Sequence, residues 1–437
     1  MKVIFCKPVL TMKNKTIADD FFKSCSEILN TYVTDKLYIS STFQVDQLLA
    51  GDADATDIFV FFNAENGEYQ DKFLRLIKKY HSVQSRIWAI AMEKNPECRR
   101  PPDPVSDKQS FDVSCRNENR NPMKNNMRAI AQIFARKIVA QTLSPLYHDE
   151  VLYFISHRRE DGEHIAAKLA DTLRLLTRER NVYRDVVNVE VGDDAQKDID
   201  KNLALSDVLI FLQTEKAHKS LYIMKELCYA LINNIPILWI QIDNADSAQM
   251  AIHPGENPVL HYMSKEFDCR ERLVEIADEI EEKCFQLIMN SSNQVFSYVE
   301  YLNDLNDSHR IKLTSDKNAI LAFQLEYKEN TKDRYDECIR KHYIQCFGRN
   351  PKEKDINDFI KKMKKAEVYE KSDRLFLLSN HGHREEQFIN AKIAEENFDD
   401  YIMNLENVSG IKNRSATNGL FFRVHFRIVM KYIKILC

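Results

Sequence analysis

Short apolar runs alternate with amphipathic segments of helical length from the first residues of the chain. Val3-Ile4-Phe5-Cys6, Leu37-Tyr38-Ile39-Ser40, Ile58-Phe59-Val60-Phe61-Phe62 and Ile87-Trp88-Ala89-Ile90 predict strands, and the stretches 17–31, 43–50 and 69–80 predict the helices between them. That alternation predicts a doubly wound α/β domain. Pro96, Pro101, Pro102 and Pro104 then mark a loop, and Phe111-Asp112-Val113-Ser114 reads as a last strand. Pro122 suits the first turn of a long helix that ends near Gln141, and Ser144-Pro145 breaks it, which puts a boundary near residue 146.

The pattern then starts again. Val151-Leu152-Tyr153-Phe154-Ile155-Ser156 opens a run of five strand signals that closes in a helix over 270–289. Within it, Val208-Leu209-Ile210-Phe211-Leu212 and Ile237-Leu238-Trp239-Ile240 flank one helix-length segment, so the three form a β-α-β unit of a parallel sheet. In such sheets ligands bind beyond the carboxyl ends of the strands. Ser220 is placed to cap that helix, and Tyr222 and Glu226, four apart, share one face. Ser291-Ser292-Asn293 reads as a linker. Beyond it, 319–327 and 375–378 predict strands and 333–347, 354–363 and 385–403 predict helices, a third and smaller α/β module. The expected domains are 1–146, 147–290 and 291–437.

Composition narrows the function classes. The 437 residues are 44% hydrophobic, enough for a core in each domain, and the net charge of −4 predicts no broad nucleic-acid footprint. No N-terminal signal pattern and no apolar run of membrane-spanning length is present, so a cytoplasmic protein is expected. The ten cysteines are scattered without a C-x-x-C pair and read as reduced thiols, not as a disulfide framework or zinc site. The nine glycines form neither a P-loop nor a dinucleotide-binding fingerprint. His381-Gly382-His383 with Glu385 and Glu386 fits no zinc spacing, so no metal is expected; Lys361-Lys362-Met363-Lys364-Lys365 reads as a solvated helix face, and the tail over 421–437 as a strand, docked helix or interface segment.

The middle third resembles a TIR domain of the NAD-cleaving type, of the kind found in bacterial immune effectors. Phe154-Ile155-Ser156-His157-Arg158-Arg159 with Gly162 is similar to the first-strand box of the family, close to its F-I-S-Y-R-R form. Val182-Tyr183-Arg184-Asp185 resembles the second strand, Val189-Glu190-Val191-Gly192 the loop after it, and Ser206-Asp207-Val208 through Leu212 the central strand. Ser220-x-Tyr222 and Lys225-Glu226-Leu227 resemble the segment that carries the catalytic glutamate. The resemblance covers about 147–290. It implies a flavodoxin-like fold, a parallel sheet with helices on both faces, flanked here by an N-terminal α/β domain and a C-terminal α/β module. One departure stands out: Asp193, Asp194 and Ala195 follow Gly192, where many TIR NADases place a bulky residue.

The resemblance further implies NAD+ as substrate, no cofactor, Glu226 as the catalytic carboxylate, and Ser156, Arg158, Arg159, Asp185, Glu190 and Tyr222 as substrate-binding residues. Most have a plainer competitor, and a glutamate in a helix is by itself an ordinary solvated residue. The two arginines fit surface cations as well as a fork for pyrophosphate, Asp185 a strand-end cap, Glu190 a loop charge, and Tyr222 a core aromatic. The implied activity is an NAD+ glycohydrolase releasing nicotinamide and ADP-ribose, activated by self-association through the TIR domain, with a sensor or partner protein in antiviral defence. Its alternatives are a cyclised ADP-ribose messenger or a non-catalytic TIR scaffold.

Overall fold

The computed structural model describes residues 2–32, 38–41, 45–65, 68–114, 127–148, 150–177, 181–184, 199, 202–232, 235–255, 259–304, 311–315, 322–329, 338–349, 355, 358, 374–379 and 401–404. They divide into two compact units, residues 1–139 with 269–282, and residues 140–268 with 283–437.

The first unit is built on β1 (Lys2–Cys6), α1 (Met12–Tyr32), β2 (Tyr38–Ser41), α2 (Val45–Ala50), β3 (Ile58–Phe62), α3 (Asp71–Ser82), β4 (Arg86–Ala91), β5 (Phe111–Asp112) and α4 (Met127–Thr142). Its strands lie in the order β2-β1-β3-β4-β5, all parallel. Every residue of β3 is buried, as expected of a strand covered on both faces. Alternate side chains supply the two faces. Phe59 and Phe61 meet α3, which buries Phe73, Leu76, Ile77 and Tyr80 at helical spacing, and Phe59 stacks on Tyr80 at 4.5 Å. On the opposite face Phe5 meets Phe22 of α1 and Phe134 of α4, and Trp88 also meets Phe134. The start expected for α4 at Pro122 lies outside the described residues.

The second unit repeats the plan with β6 (Leu152–Ser156), α5 (Arg159–Thr177), β7 (Asn181–Arg184), β8 (Val208–Gln213), α6 (Leu221–Ile232), β9 (Ile237–Ile242) and β10 (Val259–Tyr262). The order β7-β6-β8-β9-β10 is again fully parallel. β8 and β9 are buried along their whole length. Ile223, Leu227 and Ala230 of α6 pack with Phe154, Leu209, Phe211 and Trp239 in one core, where Phe211 and Trp239 meet edge to face at 4.7 Å.

α7 (Arg270–Asp304) runs straight through the linker expected at Ser291-Ser292-Asn293. Ser292 is fully buried, and its hydroxyl donates to the carbonyls of Leu146 (2.9 Å) and Gly348 (3.1 Å). Packing therefore overrides the loop-like composition. The last sheet contains β11 (Ile311–Ser315), β12 (Ala322–Glu329), β13 (Cys338–Phe347), β14 (Arg374–Ser379) and β15 (Tyr401–Asn404) in sequential order. Its first three strands pair antiparallel and its last two parallel. The helix expected over 333–347 is corrected: residues 338–347 form the central strand β13, paired along both edges. Residues 401–403, expected at the end of a helix, lie in β15.

Candidate functional site

The chain crosses over in opposite directions on either side of β6, so the boundary between β6 and β8 is the topological switch point of the second sheet. Ser156 is the last residue of β6, in register with Phe211. It is 1% exposed, and its hydroxyl donates to Glu226 Oε2 at 2.6 Å. Glu226 reaches that hydroxyl from the second turn of α6. The helix starts as the sequence predicts: Ser220 is extended and its hydroxyl accepts from the Ile223 amide at 3.4 Å. Ile223 and Leu227 anchor the inner face, which leaves Glu226 half-buried at the carboxyl edge of the sheet. Tyr222, one turn earlier, is 64% exposed with the Lys225 ammonium 5.7 Å from its ring centre. The core-aromatic reading of Tyr222 is thereby excluded.

The two arginines part company. Arg158 pairs with Glu160 and, at 3.4 Å, with Asp161, both in the first turn of α5. Partial burial pulls its guanidinium down, but those carboxylates outweigh it and hold it above its ordinary value. Arg159 is exposed at the start of α5. Asp185, Glu190 and the acidic segment after Gly192 lie outside the described residues, as do His381, His383, the lysine run at 361–365 and the tail over 421–437.

A partly buried cluster of His157, Glu163 and Arg184 beside Ser156 was not anticipated. His157, 6% exposed, stands where the F-I-S-Y-R-R form has tyrosine, and its Nε2 lies 2.8 Å from Glu163 Oε2. Arg184, at the end of β7, donates to the other oxygen of Glu163. Glu163 thus ties the ends of β6 and β7 to α5. The contacts span 6 and 21 residues, so no local pattern announces them. The box glycine has a packing reason: a Cβ on Gly162 would lie 3.2 Å from His157 Cβ. Thr214, just after β8, is buried with a hydroxyl that lacks a partner and is a further polar group at this edge. No helix of the described residues is long and apolar enough to cross a membrane, and none of their side chains form a group of three or more metal-ligating residues.

Comparison with known proteins adds one informative match. No curated protein matches the chain. Among solved structures, the C-terminal domain of glucosamine-fructose-6-phosphate aminotransferase from Francisella tularensis is similar at 13% identity, over 66% of this chain and 85% of that one, with a TM-score of 0.21. Tagatose-6-phosphate ketose/aldose isomerase from Escherichia coli is similar at 10% identity, over 66% and 81%, with a TM-score of 0.19. Likeness at those scores carries no argument. Residues 154–274, however, match the family model of the TIR domain, and they begin in β6 and take in the Ser156–Glu226 pair, both walls of the switch point and the start of α7, so this chain carries a TIR domain in its middle third.

Proposed function

We propose that the TIR domain is an NAD+ glycohydrolase with Glu226 as its catalytic carboxylate. The observation that carries this reading is the hydrogen bond from buried Ser156 to Glu226 at the switch point of a parallel sheet. Cleaving the bond between ribose and nicotinamide lets nicotinamide leave as a neutral molecule with the bonding electrons. Positive charge then develops on the ribose before water adds and a proton is released. A fixed carboxylate that accepts from the ribose hydroxyls stabilises that charge without a Lewis acid. Ser156 has a positioning role here: its hydroxyl holds Oε2 of Glu226 and so fixes the direction in which the carboxylate faces. A hydrogen bond to a charged group contributes about 1.5–3 kcal/mol, enough to hold one rotamer. Tyr222, exposed one turn away, offers a stacking surface. Arg159, exposed at the start of α5, is a candidate for pyrophosphate, as is Arg158, which Glu160 and Asp161 hold at the same helix end.

The wider reading follows the family resemblance. The enzyme acts in the cytoplasm, in antiviral defence, and gains activity when TIR domains associate, while residues 1–146 and 291–437 govern assembly or sensing. The test is incubation of purified protein with NAD+, with and without forced self-association, followed by chromatography. Nicotinamide with linear or cyclic ADP-ribose supports the reading. Intact NAD+ under both conditions, from a folded and associated protein, overturns it.

A further inference from the structure

Two successive residues at the end of β6 are gripped by carboxylates from two different helices. Ser156 donates to Glu226 of α6 at 2.6 Å, and His157 Nε2 lies 2.8 Å from Glu163 Oε2 of α5. A carboxylate only accepts, so Nε2 is the ring nitrogen that carries hydrogen here, whatever the charge of the imidazole. The second oxygen of Glu163 accepts from Arg184 at the end of β7. The peptide between Ser156 and His157 is thus fixed from both sides.

The sheet alone does not fix it. Toward β8, Ser156 is in register with Phe211. Toward β7, among the described residues, the ladder ends at Ile155 and Arg184, one residue short of Ser156. Glu163 carries the tie past that point through side chains. The His157 side chain is fully buried and that of Arg184 nearly so, whereas Glu163 is 35% exposed. The clasp therefore has a buried inner end, while its carboxylate sits at the margin of the core and not in it.

We propose that Glu163 is a positioning residue for NAD+ cleavage: it holds His157, His157 holds the backbone of Ser156, and Ser156 aims Glu226. The inference rests on the glycohydrolase reading and extends it to a residue that touches no substrate. A group that must face a developing charge loses about tenfold to a hundredfold in rate when it is misplaced by about 1 Å. Glutamine at position 163 keeps the size but has one accepting oxygen, so its own N–H meets a donor from either His157 or Arg184.

The test compares the full chain, under forced self-association, with Glu163→Gln, His157→Phe, His157→Gln and the double variant Glu163→Gln/His157→Phe, each checked for folding by circular dichroism. NAD+ turnover is measured per folded molecule. The expected result is a kcat lower by about tenfold to a hundredfold in Glu163→Gln and in His157→Phe, with KM little changed. The double variant should lose no more than either single one. His157→Gln should recover activity, because its amide returns an N–H donor to Glu163. A merely structural role would lower the melting temperature and leave kcat of the folded molecules alone. A kcat within about twofold of the parent in folded Glu163→Gln, losses that multiply in the double variant, or a His157→Gln protein no better than His157→Phe overturns the proposal. Crystal structures of the parent chain and of Glu163→Gln give a readout without NAD+. The Ser156–Glu226 bond should be present in the first and lost in the second; its absence from the first or its persistence in the second overturns the proposal. A parent chain that leaves NAD+ intact defeats the glycohydrolase reading, and the two crystal structures then decide whether Glu163 holds Ser156 in place.

Discussion

Two sheets of this protein share one strand order and one direction, yet their carboxyl edges carry opposite solutions to the burial of a carboxylate. In the TIR domain a glutamate accepts from the hydroxyl of Ser156, itself buried at the end of a strand. In the N-terminal unit two glutamates converge on a single amide, whose own oxygen is left wanting. The fold supplies the position of both sites. The residues that follow the strands and open the neighbouring helices decide which groups meet the carboxylate at each edge.

The comparison breaks most visibly if the two sheets fail to behave as separate cores. Phe59 and Phe211 are fully buried, the first stacked on Tyr80 and the second against Trp239. Replacing either with alanine should destabilise its own unit by about 3–5 kcal/mol. The two tryptophans of the chain fall one in each unit, Trp88 and Trp239. Fluorescence in urea, read with the other tryptophan changed to phenylalanine, should show Phe59→Ala moving only the Trp88 transition and Phe211→Ala only that of Trp239. A common shift of both would mean one cooperative core.

The chemistry gives the next largest effect. Glu226→Gln should lower NAD+ turnover on the order of 10²–10³-fold, as loss of one preorganised electrostatic group does. Its melting temperature should stay unchanged. Full turnover in a folded Glu226→Gln protein removes the proposed role.

A third test lies within the second unit, where Gly348 meets Ser292 of α7. A Cβ on Gly348 would lie 2.6 Å from both Cα and Cβ of Ser292, so backbone must move. Gly348→Ala should cost about 1–3 kcal/mol, measured in the Trp239 transition.

Acid provides a smaller probe. Glu65 has its folded value depressed below the ordinary 4.5. A depressed carboxylate contributes stability above its unfolded value and loses it as pH falls through the folded one. The stability of the first unit should therefore keep the Glu65 contribution between pH 7 and 5 and lose it only below 4.5, followed by urea unfolding read at Trp88. A decline beginning near neutrality would point to another group. The smallest expected stability change is that of Tyr222→Ala, within about 0.5 kcal/mol because the ring is 64% exposed. If its ring stacks on substrate, KM for NAD+ rises while the melting temperature stays put.

Much of this was legible in the sequence wherever local pattern and global packing agree. The apolar runs at Ile58 and Val208 are buried strands, and Ser220 caps the helix that presents Glu226. Legibility failed where distant partners decide. Residues 338–347 mix charged and apolar side chains, and it is the two neighbouring strands, β12 and β14, that make them a strand. Ser291-Ser292-Asn293 has the composition of a loop, but Ser292 is held in a helix by carbonyls 146 and 56 residues away. The Asn14–Glu65–Glu93 convergence joins contacts 51 and 79 residues apart, invisible to any spacing rule.

The buried pair of Arg136 and Glu281 sets a timetable for the ribosome. Both side chains are at most 3% exposed, they meet at 3.1 Å, and they are 145 residues apart. Arg136 ends up inside the first unit with two further N–H positions unpartnered, so Glu281 is its one charge partner among the bonds described. A guanidinium without its carboxylate in such a place costs about 3–5 kcal/mol. Elongation at about 5–20 residues per second delivers Glu281 roughly 7–30 seconds after Arg136. Over that interval the nascent first unit lacks its closing segment, and the whole parallel sheet of the TIR domain emerges before the unit ahead of it in the chain can be finished.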